Sequence, residues 1–89
     1  MSIPVRITIF FRDNCHLCTD VYGIALHLQS ELSIEIRKVS IEGDRVLMKR
    51  YGTKVPVILL DEVEHFAGAV TEGELRQAIK KARWRRPIS

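Results

Sequence analysis

The residues best suited to chemistry are two cysteines three positions apart, in Cys15-His16-Leu17-Cys18. Placed at the start of a helix, the first sulfur meets unpaired backbone N–H groups and the positive end of the helix dipole, which favour its thiolate. The second lies one turn inside and is expected to stay protonated. The i, i+3 spacing keeps both sulfurs on one face, so Cys15 can attack a disulfide and Cys18 can resolve the mixed intermediate. His16, if protonated, and Arg12 just upstream would each add positive charge and favour the thiolate further. The same spacing also serves as half of a zinc site, but a closed site needs four ligands, there is no second cysteine pair, and His16, His27 and His65 are not spaced as one. Dithiol exchange, metal binding and inert cysteines are therefore the three readings of this motif.

Which one applies depends on the elements that position it. Val5, Ile7, Ile9 and Phe11 alternate with Arg6, Thr8 and Phe10, the period of a strand. From Cys15 the period changes: Leu17, Val21, Ile24, Ala25, Leu28 and Leu32 form a helical stripe. Ile34 to Ile41 is rich in β-formers, but its apolar phase slips between Ile36 and Val39, which predicts a bulge or an edge strand. Asp44 can cap a short helix bearing Leu47, Met48 and Tyr51, with Gly52 placed to end it. Val57–Leu60 and Val63–Phe66 flank Asp61-Glu62 closely enough for a tight antiparallel turn, although Asp-Glu is an unfavoured turn pair, and a slightly longer loop is the alternative. Thr71 and Glu74 make a T-x-x-E capping box, with Val70 able to staple against Leu75, and Leu75, Ala78, Ile79 and Ala82 turned to the core. The predicted order is β-α-β-α-β-β-α, a four-stranded mixed α/β sheet with flanking helices.

A C-x-x-C at the helix entry of a β-α-β unit points to redox chemistry. The sequence around it, Phe11-Arg12-Asp13-Asn14-Cys15-His16-Leu17-Cys18, resembles the strand-to-active-site loop of glutaredoxins, and Val55-Pro56 resembles their Val-Pro step. Ile41-Glu42-Gly43-Asp44, Leu47, Tyr51-Gly52 and Val55-Pro56-Val57 are similar to a family of short glutaredoxin-like proteins of the thioredoxin superfamily. The resemblance implies a thioredoxin-like fold, a cis Pro56 facing the redox pair, and a backbone at Val55 that meets extended substrate. An X-Pro step is also where a cis bond costs least, about 0.5–1 kcal/mol. It further implies that Arg12 contacts glutathione, together with a Gly-Gly-x-Asp-like turn. Here Gly68 matches the second glycine of that turn, Ala67 replaces the first, and Thr71 offers one hydroxyl. His16-Leu17 stands where glutaredoxins commonly carry Pro-Tyr.

With 89 residues, 46% of them hydrophobic, the chain supports a single domain over 1–89. No apolar run approaches the ~20 residues that cross a bilayer, no signal peptide is visible, and two closely spaced cysteines are not a secreted scaffold, so a reducing, cytoplasmic setting is expected. The net charge of +3 is uneven: residues 1–79 carry nine Lys/Arg against eleven Asp/Glu, and five cations lie in 80–89. That basic end reads as a helix terminus complementing its dipole rather than a nucleic-acid site. His27 is given no role, His65 reads as a surface residue, and Trp84 as a cap closing the last helix on the sheet. Gly23, inside the first helix, suggests close packing.

The function expected is a thiol-disulfide oxidoreductase. It would have no metal and no tightly bound cofactor, and would act as a monomer on a disulfide-containing protein or a glutathione mixed disulfide. Glutathione as co-substrate, or a flavoprotein resembling thioredoxin reductase, would supply electrons; neither nucleic acid nor membrane is an expected partner. The alternatives are a binding or adaptor module that retains the fold, and a metal or iron-sulfur protein.

Overall fold

The computed structural model describes residues 3–84. Its elements are β1 (Val5–Phe11), α1 (His16–Gln29), β2 (Ile34–Ser40), α2 (Arg45–Tyr51), β3 (Val57–Leu60), β4 (Val63–Ala67) and α3 (Glu72–Trp84), in the predicted order. One sheet runs β2-β1-β3-β4. β1 and β2 are parallel, β1 and β3 antiparallel, and β3 and β4 antiparallel. Of the basic end at 80–89, residues 85–89 lie outside the described residues.

Two apolar clusters hold the sheet from opposite faces. On one, Val5, Ile7, Ile9, Ile58 and Leu60 meet Val21, Ala25 and Leu28 of α1 and Leu75 and Ile79 of α3. On the other, Val57 packs with Ile41 and Tyr51, and Phe10, Leu47, Met48 and Leu59 surround them. β3 is therefore apolar at every position, Val57-Ile58-Leu59-Leu60, because both its faces are covered.

The phase slip in β2 has an explanation other than a bulge. β2 is an edge strand and pairs with β1 in unbroken register from Val5↔Ile34 to Phe11↔Ser40. Ile34 and Ile36 belong to the α1/α3 face, whereas Ile41, just beyond the strand, is buried in the α2 cluster. The chain changes which face it buries, and residues on the first face beyond Ile36 become exposed. The sheet's register irregularity lies elsewhere, between Ile58 and Leu59 where β3 meets β4.

Of the two hairpin readings, the tight turn is the one formed. Leu60 pairs directly with Val63, and Asp61 and Glu62 both take positive φ, 49° and 72°, as the two central residues of a type I′ turn do. Asp61 compensates by staying paired with β1: its N–H donates to the Arg6 carbonyl at 2.9 Å, and its carboxylate accepts the Arg6 N–H at 3.0 Å.

Three helix expectations are corrected. Leu17 is 44% exposed and outside the core stripe, whose buried members in α1 are Cys18, Val21, Ala25 and Leu28. Trp84 is 89% exposed, so Ala78 and Ala82, not the indole, complete the packing of α3. Gly23 is exposed, and a Cβ added there meets nothing within 4 Å. Close packing does not require glycine at this position. Gly23→Ala is therefore expected to stabilise the fold by about 0.8–1 kcal/mol, raising the thermal midpoint by roughly 4–8 °C.

The capping box at α3 forms as read. The Thr71 hydroxyl accepts the Glu74 N–H at 3.1 Å, and Glu74 Oε1 accepts the Thr71 N–H at 3.0 Å. Hydrogen bonds from the Thr71 backbone, and then its side chain, hold the Glu74 carboxyl below its ordinary 4.5. Glu31 is held low as well, chiefly by its hydrogen bond from Arg76 on α3. A carboxyl whose folded pKa is depressed contributes stability that is complete above the unfolded value and lost as pH falls through the folded one. Urea midpoints measured from about pH 6 down to about pH 3 are expected to decline, and less steeply in Glu74→Gln, which retains a capping side chain without the titrating proton.

Candidate active site

Strand β1 ends at Phe11, and the chain turns through Asp13 and Asn14 before α1 begins. Asn14 takes φ 56°, a left-handed conformation that asparagine tolerates better than most residues. This turn delivers Cys15 to the N-cap of α1, where its Sγ accepts the Cys18 N–H at 3.2 Å. The Thr19 N–H and hydroxyl both donate to the Cys15 carbonyl, at 3.2 and 3.3 Å. The two cysteines are disulfide-bonded, with Cα atoms 5.2 Å apart, a separation that a bridge requires. Cys15 is half-buried and Cys18 buried.

Beside the disulfide lies an open cavity of about 600 Å³, lined by Phe11, Arg12, Asp13, Asn14, Cys15, His16, Cys18, Thr19, Tyr22, Lys38 and Ile9. Among the residues singled out in the sequence, Arg12 and His16 share it with the cysteines, whereas Val55, Pro56, Gly68 and Thr71 do not line it. His16 is almost fully exposed, and its Nε2 lies 3.6 Å from Asp20 Oδ2 one turn along α1. Arg12 is engaged: its Nη1 donates to the Gly52 carbonyl at 3.1 Å and its Nε to Glu42 Oε1 at 3.4 Å. Glu42 Oε1 also accepts the Asp13 N–H at 3.4 Å. Gly52 ends α2 with an ordinary right-handed φ of −51°, so its carbonyl, rather than a left-handed turn, is what the site uses.

Val55, Pro56 and Gly68 form a second group beside the end of β1. The Val55-Pro56 bond is cis. It precedes Val57, which pairs with Phe10 on one side and Ala67 on the other, so the strand register sets Pro56 beside the end of β1. Gly68, at φ 91°, donates its N–H to the Pro56 carbonyl at 2.8 Å, a conformation that favours glycine. The Val55 N–H is already donated to the Tyr51 carbonyl at 3.2 Å, which leaves the Val55 carbonyl as its open backbone group among the described residues. Thr71 is committed to Glu74 through both its N–H and its hydroxyl.

Lys38 and Glu42 were missed in the sequence. Lys38 follows Ile34 and Ile36 at period two, the first charge on an otherwise apolar face, and that break in pattern was the available clue. Glu42 left none, because its partner lies thirty residues away in the chain. His27 is a similar case: its Nδ1 pairs with Glu72 Oε1, joining α1 to α3. His65 is exposed on β4, with its Nδ1 2.9 Å from the Val63 carbonyl oxygen.

The family model of the glutaredoxin-like domain (DUF836) matches residues 6–80. Among curated proteins, "Uncharacterized protein Mb0520" of Mycobacterium bovis and "Uncharacterized protein Rv0508" of Mycobacterium tuberculosis are each 29% identical over 92 residues, covering 98% of this chain and 94% of theirs. Among solved structures, protein Ne2328 from Nitrosomonas europaea superposes with a TM-score of 0.76 at 21% identity, over 89% of this chain and 95% of that one. A mutant thioredoxin from Halobacterium salinarum superposes with a TM-score of 0.70 at 22% identity, over 93% and 78% respectively. At these identities the likeness establishes a thioredoxin-like fold. No helix among the described residues is long and apolar enough to cross a membrane.

Proposed function

The chain belongs to the glutaredoxin-like domain family, and we propose that it is a thiol-disulfide oxidoreductase that reduces protein or small-molecule disulfides through Cys15 and Cys18. The observation that carries this reading is the position of Cys15: a half-buried sulfur at the N-cap of α1, open to a cavity and within bridging reach of a buried partner. The N–H of Cys18 directed at its sulfur supplies the anion stabilisation a thiolate needs.

In the reaction, the Cys15 thiolate attacks one sulfur of R–S–S–R′, forming a mixed disulfide with R and expelling R′S⁻. Cys18 loses its proton and attacks the Cys15 sulfur. This expels RS⁻ and closes the Cys15–Cys18 disulfide, so two electrons pass from the dithiol to the substrate. Val55 through its carbonyl, and Pro56 with Gly68 behind it, would frame an extended substrate at the same end of the sheet. Arg12, His16 and Thr71 would border it. Glutathione, or a flavoprotein resembling thioredoxin reductase, would return the electrons. The protein would act in the cytoplasm as a monomer without a tightly bound cofactor, carrying electrons in thiol homeostasis.

The test is equilibration across a series of reduced-to-oxidised glutathione ratios, quenched by alkylation and read by intact mass. A two-electron transition between dithiol and internal disulfide is expected, with a Cys15 adduct at intermediate ratios if glutathione is the partner. Absence of an internal disulfide at every ratio would remove the exchange mechanism.

A further inference from the structure

Two long-chain cations border the cavity beside the disulfide, and they are not equivalent. Arg12 is tied down by Glu42 and the Gly52 carbonyl, and so acts as a strut between the loop before Cys15, the loop after β2 and the end of α2. Its charge is already met by a carboxylate. Lys38 stands opposite Ile9 in the β1–β2 register. Its Nζ lies 4.2 Å from the centre of the Tyr22 ring and 4.7 Å from that of Phe11. Among the described residues no carboxylate forms an ion pair with it. Aromatic faces attract a cation through their quadrupole without cancelling its charge. They hold the ammonium in place and leave its full positive charge for a ligand.

The remaining charged groups of the cavity do not alter this. His16 is directed at Asp20, and Asp13 is the cavity's one carboxylate, repelling an incoming anion rather than receiving it. Resting on the exchange reading above, we propose that this cavity is a substrate subsite in which Lys38, held over Tyr22 and Phe11, receives a carboxylate carried close to the substrate's disulfide. The substrate class it selects is an acidic disulfide, and the selecting group is Lys38, not the Arg12 guanidinium. A charge-assisted hydrogen bond from the ammonium to that carboxylate would orient the substrate sulfur toward Cys15.

The test measures the second-order rate at which the reduced protein is oxidised by three small disulfides of similar size: cystamine (cationic), bis(2-hydroxyethyl) disulfide (neutral) and 3,3′-dithiodipropionate (anionic). Lys38→Met is expected to slow the anionic reaction about three- to fivefold, the effect of one well-placed exposed ion pair, and to leave the neutral one within about 1.5-fold. Lys38→Arg should restore the anionic rate, and the difference should shrink as salt is raised. A peptide disulfide flanked by Glu, compared with its Gln counterpart and with oxidised glutathione, identifies whether a protein or a small thiol supplies the carboxylate. Equal slowing of all three small disulfides by Lys38→Met would overturn the subsite, because it would assign Lys38 to the cysteine thiolates themselves. A flat response across the charge series would overturn it as well. If the wild-type dithiol failed to react even with the neutral disulfide, the exchange reading would fall, which is a different result from either.

Discussion

Replacing Cys15 with serine is expected to lower disulfide reduction by at least about a thousandfold, because a hydroxyl at neutral pH is not ionised and the helix N-terminus cannot make it so. Cys18→Ser should behave differently. The Cys15 sulfur keeps its place at the N-cap and the backbone N–H of residue 18 that points at it, so the first attack is retained. The resolving thiol is gone, and the protein accumulates as a mixed disulfide heavier by half of the substrate. Intact mass spectrometry separates these outcomes: no adduct in Cys15→Ser, one adduct on Cys15 in Cys18→Ser. An adduct on Cys18 in the Cys15→Ser protein at a comparable rate would reverse the assigned roles. The asymmetry follows from burial, since Cys18 is 5% exposed whereas Cys15 is only half-buried.

Leu75→Ala is expected to have the largest effect on stability. Leu75 is fully buried in the cluster that joins α3 to the sheet and to α1. Removing three carbons from such a site costs about 2–5 kcal/mol, the transfer energy plus the cavity left behind. A domain of this size has only about 5–13 kcal/mol to lose, so the variant should unfold at a much lower urea concentration with an unchanged slope. Leu26→Ala is the control: the same chemical change on α1, but at a side chain 44% exposed, where about 0.5 kcal/mol or less is expected. Equal shifts in the two variants would contradict the packing described here. Because α3 also braces α1 through His27–Glu72, and the turn just after α1 through Arg76–Glu31, Leu75→Ala should loosen the helix that carries Cys18 and is capped by Cys15.

The local features of this molecule were legible in its sequence because each depends on neighbours in the chain. Alternation marked β1 and the helical stripe marked α1. The Thr71/Glu74 pair marked the start of α3, and the period change at Cys15 placed its sulfur at a helix N-terminus. The cis bond before Pro56 agrees with the glutaredoxin resemblance and with the low cost of a cis X-Pro step. The edge position of β2 was one of the two readings of its slip in apolar phase.

What the tertiary structure alone decided are pairings between segments distant in the chain. Arg12 reads in isolation as a free cation before a reactive cysteine; folding puts Glu42 and the Gly52 carbonyl against it. Lys38 reads as a surface charge on an edge strand, until the parallel register sets it opposite Ile9 and the ring of Tyr22 meets its ammonium. The apolar slip in β2 is compatible with a bulge as well as an edge strand, and only the docked sheet shows an unbroken edge strand after which the chain exchanges one buried face for the other. The reason is common to the two cations. Periodicity records which face of an element is buried, a property of the element alone, whereas the partner of a charged side chain is set by how elements dock, and no spacing along the chain encodes that.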